Sequence, residues 1–549
     1  MTNETTIARH LSARLRELDV DCAFGIVGDF ALRLFGELDA EDFKVLVTTD
    51  EQGAGFAADA FARIRGFGAV AVTYGAGGFK VTNAAANAWA EQVPLLIISG
   101  APGMAEREGD PLLHHKVKGF DTQFNVFREL TCAQAVLSSA HNAADEIDRV
   151  IRTMLSEQRP GYIEVPRDMV MAEIDASWST IDPSLPFLDP VALQEALADV
   201  MSELSRASTA VIHAGAMIER RHVESDLISF ATTAGIPVAT SSLARGVFPE
   251  RHPLGLGVYL GALSPENVVR RVEDADVLLS LGVLQTDLTL GVFTANLDHK
   301  REVLCSDTDV TVGYRTYKGV PLWAFLPALN TALGGKALNI SHESIADHGP
   351  FIATDASLTV ERTIDAISSH IDERHGVLLD PGEALFASVD MRVPTWCHGS
   401  AYYATMGYAV PGALGAGIAD PERRPVVLVG DGAFSMTGLE VASCAFHGVP
   451  AVFIVLDNQG FGTQRPILEG PFNEIPALAA EKLIDVIGTG QGWLVETEVE
   501  LDTALSSALS SALSSALSSD EVCIIRVRLP KTARSAALSR LGAALAARA

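Results

Sequence analysis

The most chemically loaded segment is Gly430-Asp431-Gly432, directly after the apolar run PVVLV and ahead of AFSMTGLEVASCAFHG, whose pattern reads as a helix. Glycines at a strand-to-helix turn let backbone N–H groups approach an anion, and a helix start favours phosphate. A second apolar run, AVFIVL, ends in Asp457-Asn458-Gln459-Gly460. The interval between Asp431 and Asn458 has room for one helix and one strand, so both side chains can reach the same sheet edge. A carboxylate from Asp431, an amide oxygen from Asn458 and a main-chain carbonyl near Gly460, completed by phosphate oxygens and water, suit octahedral Mg²⁺. By itself Gly-Asp-Gly is as often a structural turn; the downstream Asn is what favours a metal and phosphate site.

This arrangement resembles the metal-diphosphate signature of the thiamine-diphosphate enzymes, GDG followed at similar spacing by an Asn pair. Asp457 stands where the first Asn is usual, and Asn458 keeps the liganding position. The resemblance implies a cofactor site that includes Gly430, Asp431, Gly432, Ala433 and Asn458, with Mg²⁺ on Asp431, Asn458 and Gly460. It also implies a role for Glu51, which follows VLVTT and opens EQGAGFAADAFAR. A Glu there bonds the aminopyrimidine N1′ and favours the imino tautomer that deprotonates thiazolium C2 to the ylid. Without the GxAADxxAR surroundings, such a residue is ordinarily a capping charge. Gly28-Asp29-Phe30 after AFGIV, and His114-His115 after DPLL, look like the pyruvate, indolepyruvate and phenylpyruvate decarboxylases; acetolactate-synthase-like carboligases lack the His pair. Decarboxylation of a cofactor-bound 2-oxo acid leaves an enamine that needs a proton, and aldehyde release needs a base. Imidazoles and a carboxylate suit both tasks.

Within Tyr402-Tyr403-Ala404-Thr405-Met406-Gly407, Met406 resembles the apolar residue that bends the cofactor, and the Ala404 carbonyl resembles the acceptor of its amino group. Read without the family, Met406 would be core filler. Pro381, Leu385 and Phe386 fall where the family shapes the substrate pocket, which implies an aromatic or medium aliphatic 2-oxo acid. One departure stands out: Gln464 occupies the place of a catalytic Glu, and an amide cannot supply a proton near neutrality. Proton delivery then rests on Asp29, His114 and His115. The leading expectation is non-oxidative decarboxylation to an aldehyde and CO₂, closest to the phenylpyruvate and indolepyruvate branch. A carboligase on the same cofactor and a non-catalytic cofactor-binding paralogue are the rivals.

These residues need a scaffold, and short β-branched runs alternating with Ala-rich helical stretches supply one. Runs at 45–49, 69–75, 94–100 and 161–166 form one block, those at 210–215, 236–242 and 276–282 a second, and those at 425–432, 451–458 and 523–530 a third. Such near-continuous apolar runs are buried parallel strands. The expectation is an α/β protein of three domains, each a mostly parallel sheet flanked by helices: residues 1–178 pyrimidine-binding, 190–335 central, 355–549 diphosphate-binding. Polar, Pro-containing stretches at 176–190 and 334–357 read as linkers. ALSS repeated from Ala504 to Ser519 reads as an amphipathic helix without chemistry. The family resemblance further implies a homodimer or homotetramer with sites at subunit interfaces.

Composition narrows the partners. In 549 residues, 41 Lys and Arg face 69 Asp and Glu, a net charge of −28. That argues against nucleic acid and anionic membrane, while 48% hydrophobic residues argue against disorder. Cys22, Cys132, Cys305, Cys397, Cys444 and Cys523 lie far apart with no C-x-x-C pair, so reduced thiols are expected. With no apolar leader in MTNETTIARH, a cytoplasmic location is the default. Three lesser motifs carry nothing: His342-Glu343 with His348 has the wrong gap for a zinc helix, Gly255-Leu256-Gly257 does not follow a strand, and no G-x-S-x-G occurs.

Overall fold

The computed structural model describes residues 4–175, 180–181, 185–342, 349, 351–509 and 521–547. Two compact units divide the chain. One comprises residues 1–185, 410–421 and 437–449, the other 186–409, 422–436 and 450–549.

The first unit holds a six-stranded parallel sheet, in spatial order Lys44–Val47, Cys22–Gly25, Gly68–Val72, Leu95–Ala101, Gly161–Pro166 and Ala133–Val136. Strands Gly68–Val72 and Leu95–Ala101 are buried at every position, which is why their sequences are apolar without alternation. The helix Glu51–Arg65 shows how local residues set an element. The Asp50 side chain caps it by accepting from Gln52 N–H, and Gly66 ends it in the left-handed conformation at φ 84°.

In the second unit, the sheet nearest the C-terminus runs Cys397–Gly399, His375–Leu379, Arg424–Gly430, Val452–Asp457, Cys523–Arg528 and Gln491–Val495, again all parallel. Numbered along the chain, both six-stranded sheets have the order second, first, third, fourth, sixth, fifth. The turns that leave the C-terminal ends of the strands therefore correspond between the two sheets. Such ends, where the strand order reverses, are where α/β sheets bind ligands.

The central sheet, also in the second unit, orders Gly255–Val258, Val238–Thr240, Ala210–Ala214, Val277–Leu281 and Glu302–Cys305 in parallel, then adds Asp309–Val312 and Arg315–Lys318 antiparallel. At its own reversal point, between Ala210–Ala214 and Val277–Leu281, the two turns pack closely. A Cβ on Gly215 would collide with the backbone of Gly282 and Val283. Separate apolar cores stabilise the two sheets of this unit, one around Phe230, Phe325 and Leu329, the other around Leu428, Ile454 and Ile525.

All three expected sheets are present, with local differences. The stretch 433–448 is not one helix. It breaks into Asp431–Thr437, a 3₁₀ turn Gly438–Glu440 and Val441–Phe446. The break has a cause: it frees Glu440 to bind the backbone of Thr49 and Asp50. Gly255-Leu256-Gly257 belongs to a strand at the sheet edge. The helix over the ALSS repeat is present as Glu498–Leu509, with Leu505 and Leu509 buried; the remaining repeats lie outside the described residues. Glu343 and His348 also lie outside them, as does much of the expected linker 176–190. All six cysteines are free thiols, and among the described residues no helix is long and apolar enough to cross a membrane.

Candidate active site

In the second unit, parallel pairing of Gly430 with Leu456 sets the ends of two central strands side by side. Asp431 and Asp457–Asn458 therefore emerge at one edge. Asp431 Oδ1 accepts from Gly432 N–H at 2.9 Å and Oδ2 from Gly460 N–H at 3.0 Å, tying the two turns together. Burial and the neighbouring Asp457 carboxylate push the Asp431 carboxyl above its ordinary range. A divalent cation beside Asp431 would relieve that penalty. Asp457 itself is occupied elsewhere: its Oδ2 accepts from Arg526 Nε at 2.7 Å and lies 3.3 Å from Arg528 Nε. Asn458, nearly buried, is held close by Gly462, where any Cβ would strike its Nδ2.

Asp431, Asn458, Gly460 and Gly462 line a cavity of about 460 Å³. Ala404, Met406, Gly430, Asp431, Gly432, Ala433, Asn458 and Gly460 contribute to its wall, as do Pro381, Leu385, Phe386 and Gln464. Space is open where a Cβ on Gly430 would sit. Every residue expected at the metal, the Ala404–Met406 turn and the substrate pocket thus borders one cavity. The polar donor set lies toward the strand ends and an apolar wall stands beside it, a fit for a phosphorylated heteroaromatic cofactor with a divalent cation. Ala404 adopts φ 59°, a left-handed conformation uncommon for a residue with a Cβ.

In the first unit, Asp29, His114 and His115 form a second cluster, with one polar atom of each within 4.8 Å of the others. His114 Nε2 lies 2.8 Å from Asp29 Oδ2, and the His114 ring stacks on Phe30 at 4.7 Å. His115 is in a left-handed conformation, φ 66°, with Nδ1 3.0 Å from the Tyr74 carbonyl. The Ala76 N–H also reaches Nδ1, at 3.4 Å, so this nitrogen faces both a carbonyl and a donor. Gly75 makes the close approach possible, since a Cβ there would meet the His115 carbonyl and lie 2.7 Å from its Cβ. Glu51 opens its helix as expected, with Oε2 2.8 Å from Lys80 Nζ.

Several residues at these sites escaped sequence reading. Leu288, Met436 and Phe461 add to the cavity wall. Asp380, fully buried behind it, accepts from the N–H groups of Gly407 and Ala409. Burial pushes its carboxyl up to about 7 against the pull of those donors. Glu440 accepts from Thr49 and Asp50, immediately ahead of Glu51. Only the position of Asp380 beside Pro381 offered a signal in the sequence.

Three family models match along the chain: a thiamine pyrophosphate enzyme N-terminal TPP binding domain at residues 5–125, a central domain at 197–333, and a C-terminal TPP binding domain at 383–527. Indole-3-pyruvate decarboxylase of Azospirillum brasilense is 34% identical over 508 residues, covering 90% of this chain and 91% of that protein. Alpha-keto-acid decarboxylase of Mycobacterium tuberculosis is 31% identical over 499 residues, 88% of each chain. Its counterpart from Mycobacterium leprae is 30% identical over 480 residues, 86% of this chain and 84% of that one.

Proposed function

The chain belongs to the thiamine-diphosphate-dependent 2-oxo acid decarboxylases, and we propose that it converts acids with aromatic or medium aliphatic side chains to the aldehyde and CO₂ without oxidation. The observation that carries this reading is the cavity wall, where Leu385 and Phe386 stand with Leu288 next to the Ala404–Met406 turn. An apolar wall of that kind takes an aromatic ring and leaves a methyl group poorly packed.

Bound thiamine diphosphate supplies the electron sink for loss of CO₂. Asp431, Asn458 and the main chain at Gly460 would hold Mg²⁺, and with it the diphosphate, beside Gly430, Gly432 and Ala433. The Ala404 carbonyl would accept the amino group of the pyrimidine, and Met406 would enforce the bend between the rings. Glu51 would hydrogen-bond the pyrimidine nitrogen, its side chain steadied by Lys80. His115 Nε2 and the His114–Asp29 pair offer lone pairs and protons for protonating the decarboxylated carbon and releasing the aldehyde. Gln464 can orient a carboxylate or a water, and it can donate no proton near neutrality.

Gln464 favours a second reading on the same cofactor. Slow protonation leaves time for capture of another carbonyl compound, giving a 2-hydroxy ketone. Product analysis with and without an added acceptor aldehyde separates the two. We further propose a homodimer or homotetramer with sites shared between subunits, on the family resemblance and the half-exposed Asp29–His114 pair. Six free thiols suit a reducing cytoplasm. The test of the main reading is a panel of pyruvate, phenylpyruvate, indolepyruvate and a branched 2-oxo acid, scored by kcat/KM for aldehyde formation. Phenylpyruvate should lead, and a preference for pyruvate would refute the proposed pocket.

A further inference from the structure

Asp380 follows the strand His375–Leu379 and is 0% exposed. An ionised carboxylate can only accept hydrogen bonds, and the groups around this one suit that form. Oδ1 accepts from Gly407 N–H at 2.9 Å, Oδ2 accepts from Ala409 N–H at 2.9 Å, and the Tyr408 N–H acts on it too. These donors immediately follow Met406. On the other side of the same turn, Thr405 N–H donates to Ser400 Oγ at 2.9 Å. The left-handed Ala404 and Met406 are therefore strung between two buried anchors, Ser400 upstream and Asp380 downstream.

We propose that Asp380 is a positioning residue for the cofactor: by clamping the backbone after Met406 it fixes the Ala404 carbonyl and the Met406 side chain in the attitude that receives the thiamine rings. Left-handed backbone at a residue with a Cβ persists only where its surroundings hold it, and these two anchors hold the chain on the residues that follow Ala404. The next residue, Pro381, lacks an N–H and has a fixed φ, and it borders the same cavity. One carboxylate thereby sets the cofactor turn against the start of the substrate wall.

Shape alone cannot replace it. In Asp380→Asn, one oxygen becomes an NH₂ that must face a backbone N–H, because Gly407 and Ala409 donate to opposite oxygens. The inference rests on the reading that Ala404 and Met406 receive the thiamine end while Asp431 and Asn458 receive the diphosphate. That division provides a readout a general loss of structure would not imitate.

The full-length apoprotein, at saturating Mg²⁺, is titrated calorimetrically with thiamine diphosphate and, separately, with inorganic diphosphate. Asp380→Asn should weaken thiamine diphosphate by about tenfold or more and leave inorganic diphosphate within about twofold. Equal affinity of Asp380→Asn and the unaltered chain for thiamine diphosphate overturns the inference, and so does an equal weakening of both ligands. Failure of the unaltered chain to bind thiamine diphosphate overturns the cofactor reading itself, a distinct result. If Asp380→Asn does not fold, Ser400→Ala tests the same clamp from its other end. It should weaken thiamine diphosphate selectively, and no selective effect there sinks the proposal.

Discussion

Replacing Glu440 by Gln keeps the shape of a side chain that is 1% exposed and changes only its hydrogen bonding. Oε1 accepts from Thr49 Oγ1 at 2.7 Å and Asp50 N–H at 3.0 Å; Oε2 accepts from Thr49 N–H at 3.2 Å and Ser443 Oγ at 2.6 Å. The hydroxyls can rotate to accept instead, but the two backbone N–H groups cannot. Each carboxylate oxygen serves one of them, so either orientation of the amide sets an NH₂ against a backbone N–H. An unsatisfied buried N–H costs about 1–3 kcal/mol, and loss of charge assistance weakens the bonds that remain. Burial already raises the Glu440 carboxyl, so a neutral amide recovers some desolvation. The expected net cost is about 2 kcal/mol, confined to the start of the Glu51–Arg65 helix. Amide hydrogen exchange reads it locally: Thr49 and Asp50 should exchange about 30-fold faster. Turnover should fall as well, because Glu51 is the next residue along the chain. If exchange at those amides stays within about threefold of the unaltered protein, Glu440 does not anchor the helix start and the reasoning fails.

Gly75→Ala should displace His115, because a Cβ at φ 67° would meet the His115 carbonyl. Turnover should drop by about tenfold or more while far-UV circular dichroism is unchanged; full activity would contradict the placement of His115. Phe386→Ala should open the cavity wall and shift the ratio of kcat/KM for indolepyruvate over phenylpyruvate upward by about tenfold, measured on the same substrate panel. Glu219 gives a pH prediction. Burial alone would raise its carboxyl, but His398, with Nε2 2.8 Å from Oε1, and Arg220 pull it down to about 2 from 4.5. Its folded value lies below its unfolded one, so the stability it contributes is present above pH 4.5 and lost as pH falls toward 2. Glu219→Gln should flatten the acid limb of a denaturation-versus-pH profile across that window; an unchanged limb would remove Glu219 from the account.

Part of the site is legible in the sequence because its chemistry sits at strand ends. Val426 to Val429 are apolar because the strand is buried on both faces, and the Gly-Asp-Gly that follows marks the turn. The same logic reaches Asn458 after Val452–Asp457. Where the local pattern was misleading, tertiary contacts won. The stretch 433–448 has helical composition throughout, yet it breaks at Gly438 where Glu440 turns toward amides 390 and 391 residues away in the chain. Gly255–Val258 is too short and glycine-rich to stand out as a strand, and it forms one by pairing with Val238–Thr240.

The sequence by itself determined which segments are buried strands, because burial on both faces is written in residue type and periodicity over a few neighbours. The candidate phosphate turn at Gly430-Asp431-Gly432 was legible there too, while the candidate proton-handling residues came from the family resemblance. Tertiary structure alone decided that Leu288 from the central-sheet region joins Leu385 and Phe386 at one cavity, that Gly75 makes room for His115, and that Asp380 clamps the turn after Met406. The physical reason is that a buried polar group or an apolar wall is specified by its partners. Partners are set by the order in which strands pair, and no local stretch of sequence contains that order.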